Sequence, residues 1–174
     1  MKTNLLNLTP AAAAEWLAAF LRERGEPSYR LRQIVPALWQ SPVSTFQEVS
    51  TLPAALRDAL DEAFELPRLT LTTQQASSDG TQKFLFRLHD GQSIETVSIT
   101  DGDRVTFCIS SQAGCALQCA FCATGLMGFA RNLEPSEIAG QVRELALLEA
   151  PLRPTNIVFM GMGEPLLNYD ALVP

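Results

Sequence analysis

The order of strand and helix patterns between residues 105 and 160 is the strongest constraint on the fold of this chain. A strand pattern begins at Val105, a helix pattern covers about 135 to 149, and an apolar run typical of a buried strand covers Asn156–Met160. Two strands joined by a helix normally lie parallel, with a right-handed crossover between them. The sequence therefore predicts a β-α-β unit, and with it an α/β fold.

The loop after the first predicted strand carries Cys115, Cys119 and Cys122, in the spacing Cys-x3-Cys-x2-Cys. All four cysteines of the chain, including Cys108, lie between positions 108 and 122, which indicates metal binding or catalysis in a reducing compartment. A [4Fe-4S] cluster uses one ligand per iron, so three cysteines leave one iron open, whereas a structural zinc site closes with four ligands. The pattern thus favours either a three-cysteine cluster or a zinc module that also uses Cys108.

The second predicted strand is followed by the glycine-rich loop Gly161-Met162-Gly163-Glu164-Pro165. Functional loops of parallel α/β folds collect at the carboxyl ends of the strands, so we expect this loop to meet the cysteine loop. The glycines allow a ligand to approach the backbone, and the Glu164 carboxylate suits an ammonium group. By itself the pentapeptide is equally consistent with a glycine turn that carries a surface glutamate.

Three helices are predicted before residue 67: from about Pro10 to Arg24, from about Tyr29 to Trp39, and from Pro53 onward. Apolar residues recur along each at helical spacing, so the three helices should form a small bundle. We expect Trp16 and Trp39 to be core residues of that bundle.

From Pro67 the apolar period changes to two, and Asp-Gly pairs separate the strand patterns, which predicts an antiparallel meander. By strand parity Glu95 shares a face with Val97 and Ile99. Apolar neighbours on that face would raise the pKa of the carboxyl group toward a value useful for a general base. The alternative is an ordinary charged residue near a strand edge. His89, the single histidine, is expected in a surface turn.

Composition and net charge restrict the class of protein to which this sequence can belong. The 174 residues are 47% hydrophobic, which is enough for a substantial core. The patterns of helices and strands divide the chain into a helical domain at 1-66, a meander at 67-103 and the start of a barrel at 104-174. The net charge of −6 argues against a protein that coats itself with phosphate, although arginines cluster at positions 22, 24, 30 and 32. That cluster fits an RNA contact or a solvated helix face equally well. No apolar run approaches the roughly 20 residues needed to cross a bilayer, so a cytoplasmic location without membrane association is expected.

Longer motifs around the cysteine loop narrow the interpretation. The segment Arg104–Cys115, the string Gly128-Phe-Ala-Arg-Asn-Leu133 and the segment Gly161–Pro165 resemble the RlmN-type radical S-adenosylmethionine (SAM) RNA methyltransferases. The resemblance runs from about Tyr29 to the last residue. It implies an α/β fold in which a helical bundle and a strand meander lead into a partial (β/α) barrel, truncated here after its first unit. In such proteins the helical bundle, here residues 1-66, is an accessory domain that helps to hold RNA.

The resemblance also implies an activity and a set of site residues. Enzymes of this kind methylate carbon 2 of an adenine in 23S rRNA and tRNA, with a [4Fe-4S] cluster and SAM as cofactors and an electron donor protein such as flavodoxin as partner. A monomer is expected. The resemblance assigns four kinds of role: cluster ligands Cys115, Cys119 and Cys122, SAM contacts Gly163 and Glu164, proton acceptor Glu95, and a second reactive cysteine, Cys108.

The family's methyl-carrying cysteine lies in the C-terminal half of such proteins, and this chain has no cysteine after Cys122. We therefore expect the isolated chain to be catalytically incomplete. Two alternatives stay open: a carbon-8 adenine methyltransferase of the chloramphenicol-florfenicol resistance type, and a non-enzymatic zinc module with four cysteine ligands. Without the resemblance, Cys108 would be read as a small buried strand residue or as the fourth zinc ligand.

Overall fold

The structure is a computed structural model, and it describes residues 2–148 and 151–173. Its α-helices are α1 (Pro10–Glu23), α2 (Leu31–Trp39), α3 (Ala54–Ala63), α4 (Ala123–Leu126), α5 (Pro135–Ala146) and α6 (Tyr169–Leu172). Its strands are β1 (Thr3–Asn4), β2 (Phe64–Glu65), β3 (Thr70–Ala76), β4 (Gln82–Arg87), β5 (Ser93–Asp101), β6 (Arg104–Cys108), β7 (Gln112–Gly114), β8 (Phe129–Asn132) and β9 (Asn156–Val158). Helix α5 ends before Glu149, its predicted end, and that position lies outside the described residues.

Helices α1, α2 and α3 form the predicted bundle around one apolar core. Helix α1 begins at Pro10 because the Thr9 side chain accepts a hydrogen bond from the Ala12 amide and proline fits the first helical position. The buried stripe of α1 passes through Leu17, and Trp16 lies off it with 53% of its surface exposed, so the prediction that Trp16 is a core residue was wrong. Trp39 is partly buried against the bundle core, as expected.

A five-stranded sheet with the order β3-β4-β5-β6-β9 joins the meander to the β-α-β unit. Strands β3 to β6 are antiparallel, and their connecting turns have glycines with positive φ at Gly80, Gly91 and Gly102. Strand β9 pairs parallel to β6, with α5 between them in the chain. Both the meander and the β-α-β unit are therefore confirmed.

The two faces of this sheet differ in what covers them. Along β5, Ile94, Thr96 and Ser98 are buried, whereas Glu95 and Val97 are only half-buried. The buried face and α5 contribute to one apolar core, whose largest members include Phe84, Phe86, Phe107, Ile138 and Leu145. We call the opposite side, which carries Glu95 and Val97, the open face.

Strand β9 forms an edge of the sheet. The prediction that Asn156–Met160 is a buried strand was wrong in its burial, since Ile157 is 47% and Met160 79% exposed. Within the part of the chain that the structure describes, β9 pairs with β6 alone, so its other edge has no neighbouring strand to cover these side chains.

Polar contacts join the helical bundle to α5. The Asn7 side chain accepts a hydrogen bond from the Ser136 amide and donates one to Glu134. The buried Arg143 guanidinium donates to the carbonyl oxygens of Leu38 and Val43 in and after α2. Helix α5 is thus fixed on one side by the sheet and on the other by the bundle.

In the described ranges, no helix is both long and apolar enough to span a membrane.

Candidate functional site

A short antiparallel ribbon closes the base of the cysteine loop. Strand β7, before the loop, pairs with β8, after it. The Cys115 amide donates to the Gly128 carbonyl at 2.9 Å. Gly114 has a φ of +79°, and a side chain there would run into the same carbonyl. The two ends of the loop are therefore held together by backbone contacts.

The interior of the loop is also shaped by its backbone. The Cys122 amide donates to the Cys119 carbonyl at 3.0 Å, and Cys122 precedes the short helix α4. Gly125 packs against the loop so closely that a Cβ there would lie 3.0 Å from the Gln118 Cα and 3.1 Å from the Cys119 nitrogen. Gln118 itself has a φ of +48°. Gly125 is thus required by close approach, because the loop backbone occupies the space of a side chain.

The three loop cysteines are free thiols with donor chemistry that fits an iron–sulfur cluster. Hydrogen bonds from the Gly125 and Thr124 backbone lower the pKa of Cys122, which favours the thiolate. In residues 2–148 and 151–173, no three Cys, His, Asp or Glu side chains are grouped tightly enough to bind a single metal ion. A [4Fe-4S] cluster distributes its ligands over different irons, so it does not require the thiols to converge on one point.

The glycine-rich loop after β9 docks against the segment that leads into the cysteine loop. The Met162 carbonyl accepts hydrogen bonds from the Ser111 amide at 2.9 Å and the Gln112 amide at 3.2 Å. The Met162 amide in turn donates to Ser110 Oγ at 2.9 Å. The expectation that the two loops meet at one end of the sheet is therefore confirmed.

Gly163 and Glu164 lie at the closest point of this docking. Gly163 has a φ of +97°, and a Cβ there would lie 2.5 Å from the Gln112 Cβ. The Glu164 amide donates to Gln112 Oε1 at 2.9 Å, and its carboxylate accepts from the Leu166 amide at 3.1 Å. Glu164 is only half-buried, so the segment presents both backbone and a carboxylate beside the cysteine loop.

Glu95 lies on the open face of the sheet, where its side chain is 42% exposed. Its nearest charged partner is Lys83, whose Nζ is 3.0 Å from Glu95 Oε1. The predicted enclosure by apolar neighbours was wrong, because the alternation of β5 buries the opposite residues, Ile94 and Thr96. The environment of Glu95 is an ion pair at a water-accessible surface.

Cys108 shares the open face with Glu95. It pairs with Val97 across β5 and β6, and directly paired residues of antiparallel strands project to the same side. The thiol is half-buried, and this burial raises its pKa, although a hydrogen bond with the Met160 backbone acts in the opposite direction. Burial of Cys108 therefore favours the protonated thiol.

Several buried polar residues of the site were not found from the sequence. Ser110, Gln112, Gln141 and Asn168 are each at most 7% exposed, and all hydrogen-bond to the strand ends or to the loops. The available signal was the polar run Ser110-Ser111-Gln112 immediately after an apolar strand. The sequence left Arg131 without a role, and in the structure it pairs with Asp90 and Glu137, so that it ties β8 to α5.

Two family models match separate parts of the chain. Residues 3–66 match the ribosomal RNA large subunit methyltransferase N-terminal domain, and residues 109–173 match the radical SAM superfamily. The chain is 63% identical over 171 residues to a probable dual-specificity RNA methyltransferase RlmN of Gemmatimonas aurantiaca, an alignment that covers 98% of this chain and 48% of the relative. Over nearly its whole length the chain is thus similar to the N-terminal half of RlmN-type radical SAM methyltransferases.

Two further comparisons show the same similarity. The dual-specificity RNA methyltransferase RlmN of Saccharophagus degradans is 44% identical, with 99% of this chain and 44% of the relative covered. The crystal structure of a radical SAM methyltransferase from Sphaerobacter thermophilus superposes with a TM-score of 0.83 at 43% identity, over 98% of this chain and 50% of that one. The chain spans about half the length of the curated relatives it matches. The resemblance and the fold class deduced from the sequence are thereby confirmed, and the RlmN-type family implies an iron–sulfur cluster and SAM as cofactors.

Proposed function

We propose that the whole protein is a radical SAM RNA methyltransferase that methylates carbon 2 of an adenine in 23S rRNA and tRNA. The observation that carries this proposal is the docking of Gly161–Glu164 against Ser111 and Gln112, the segment that leads into the cysteine loop, so that the carboxylate of Glu164 and the three thiols lie at the same end of the sheet. Relatives named as dual-specificity RNA methyltransferases support the substrate class.

In this proposal the cysteine loop and the glycine-rich loop divide the cofactor binding. Cys115, Cys119 and Cys122 would hold the cluster, and Gly163 and Glu164 would bind the amino group of SAM. When bound, the cluster supplies the electron that cleaves SAM and so starts the radical chemistry. The backbone contacts at Gly114 and Gly125 fix the loop shape before any cofactor binds, which lowers the cost of ordering it.

Two residues of the open face would act on the substrate. Glu95 would accept a proton from the methylated adenine, and its ion pair with Lys83 keeps the carboxylate oriented along the face. Cys108, once it has lost its proton, would attack the sulfur of the methyl-carrying cysteine and form a transient disulfide. The bond from that sulfur to the carbon attached to the adenine would break, and that carbon would keep the electron pair and take up a proton to become the methyl group of the released RNA. The common face of Glu95 and Cys108 supports these roles, because both groups must reach the same base.

The remaining partners follow from the same proposal. The RNA would be held in part by the helical accessory domain, where Arg22, Arg24 and Arg32 are exposed. An electron donor protein such as flavodoxin would reduce the cluster. We place the protein in the cytoplasm as a monomer. The division at residues 66 and 103 remains a prediction, and the sheet crosses the second boundary without interruption.

Metal content distinguishes this proposal from a zinc module. The chain is reconstituted anaerobically with iron and sulfide, and iron, sulfide and zinc are measured in the wild type, Cys119→Ala and Cys108→Ala. A three-cysteine cluster predicts that Cys119→Ala loses iron and that Cys108→Ala keeps it. A zinc module predicts one zinc per chain and loss of metal in both variants.

Product analysis tests the reaction itself. The reconstituted chain is given a reductant and SAM, and SAM cleavage is followed together with nucleoside mass spectrometry of added 23S rRNA and tRNA. We expect SAM cleavage that depends on Cys119 and no methylated adenine, because the methyl-carrying cysteine of the family is absent from these residues. Methylated RNA made by the 174-residue chain would contradict the role given to that cysteine, and 8-methyladenosine made by the whole protein would contradict carbon 2.

A further inference from the structure

Gln112 is a buried side chain at the centre of the site that the proposed chemistry does not use. It is 1% exposed and lies on β7, three residues before Cys115. Its Oε1 accepts a hydrogen bond from the Glu164 amide at 2.9 Å, and its Nε2 donates to Asn132 Oδ1 at 2.8 Å. Both polar atoms of the glutamine side chain are therefore hydrogen-bonded, one to the glycine-rich loop and the other to β8.

The contacts around Gln112 reach three separate segments. Its own amide donates to the Met162 carbonyl, and Gly163 packs on its Cβ. Its partner Asn132, on β8, donates to the Leu167 carbonyl at 3.2 Å, in the turn that follows Glu164. The Gln112 side chain thus contacts Glu164 and β8 directly, while its own backbone amide and its partner Asn132 extend the network to Met162 and Leu167.

A glutamine is suited to this position because one end must accept and the other must donate. A glutamate would keep the acceptor for the Glu164 amide but lose the donor to Asn132. A leucine of similar size would lose both, and would leave the Glu164 amide without its partner. Comparison of the glutamate and leucine variants therefore distinguishes the hydrogen bond to the Glu164 amide from the volume that the side chain fills.

We propose that Gln112 is a positioning residue, which holds Gly163 and Glu164 in the conformation that binds the amino group of SAM. This inference rests on the proposed function for its SAM-binding step. Its geometric part, the restraint of the Glu164 amide by the Gln112 side chain, is independent of any cofactor.

The geometric part is tested on the iron-free chain by amide hydrogen exchange. Loss of one hydrogen bond should speed exchange at Glu164 about tenfold in Gln112→Leu, whereas Gln112→Glu keeps the acceptor for the Glu164 amide and should speed exchange less than the leucine. Gln74→Leu is the control, because Gln74 is an exposed glutamine bonded to Gln82 and should leave Glu164 unchanged. Should the leucine variant fail to fold, Gln112→Asn, which is too short to reach Glu164, replaces it with the same expected result.

The binding part is tested by measuring the dissociation constant of SAM for the reconstituted chain. We expect about tenfold weaker binding in Gln112→Leu and a smaller loss in Gln112→Glu, which keeps the acceptor for the Glu164 amide. Absence of SAM binding by the wild type would overturn the proposed function. The exchange rates would still show whether the Gln112 side chain restrains the Glu164 amide. Unchanged exchange at Glu164 in the leucine and asparagine variants, or unchanged SAM affinity in them, would overturn the role of Gln112.

Discussion

Replacement of Gly163 by alanine should destabilise the chain more than the same change at another glycine with a similar backbone. Gly163 and Gly91 have φ values of +97° and +87°, so alanine at either position carries the backbone cost of a left-handed residue, about 1–2 kcal/mol. Nothing lies within 4 Å of a Cβ at Gly91, whereas a Cβ at Gly163 would lie 2.5 Å from the Gln112 Cβ and 2.7 Å from its amide nitrogen. That overlap forces the two segments apart and should add about 1–3 kcal/mol.

The comparison of the two alanine variants isolates this packing term. Urea unfolding should give a free energy of unfolding lower by about 1–2 kcal/mol for Gly91→Ala and by about 2–5 kcal/mol for Gly163→Ala, from the sum of the two terms. A typical domain has about 5–15 kcal/mol in total, so the larger loss is easily measured. Equal losses in the two variants would refute the close contact between Gly163 and Gln112, since backbone strain alone would then explain both.

Three further predictions concern stability and thiol reactivity. The Arg131 guanidinium lowers the pKa of Asp90 to about 2, so the stability from this pair is present above the usual pKa of 3.8 and is lost as pH falls through about 2. Between pH 5 and 2 the free energy of unfolding, measured with urea, should fall by about 1 kcal/mol more in the wild type than in Asp90→Asn, since water screens a pair this exposed. The same dependence on pH in both proteins would exclude this linkage. Arg143→Met should cost about 3 kcal/mol in the same assay, because it leaves two carbonyls of the bundle without their buried donor, and a loss under 1 kcal/mol would contradict that role. Because burial raises its pKa, Cys108 should react with iodoacetamide more slowly than glutathione does at pH 7, and at a similar rate only in alkaline buffer. Peptide mass spectrometry follows the reaction, and equal rates at pH 7 would mean that the thiol is not protected.

Much of the fold could be predicted because its signals are local. The proline and threonine at the start of α1 define its first turn, and the Asp-Gly pairs determine where the meander turns. The cysteine loop and the Gly161–Pro165 segment could be assigned to one end of the sheet, because parallel strands separated by one helix leave their carboxyl ends together.

The environments of individual side chains could not be predicted in the same way, because they depend on partners distant in sequence. Parity placed Glu95 on one face of β5, but the face that is buried is chosen by α5, which follows 40 residues later. Trp16 and Leu17 are adjacent on an apolar helix, and the position of α2 and α3 decides which one is covered. The partners of Gln112 lie 20 and 52 residues away, so no local pattern indicates its role.

Strand β6 has an antiparallel neighbour on one side and a parallel neighbour on the other, and it therefore sets the register of both. Side chains alternate along a strand, so a slip of one residue between β5 and β6 would turn Cys108 away from Glu95 and point it toward the apolar core. Insertion of a single residue within β6 would thus separate the two side chains proposed to act on the substrate, while leaving every side chain of the site present. The length of this one strand is as much a part of the site as the side chains it carries.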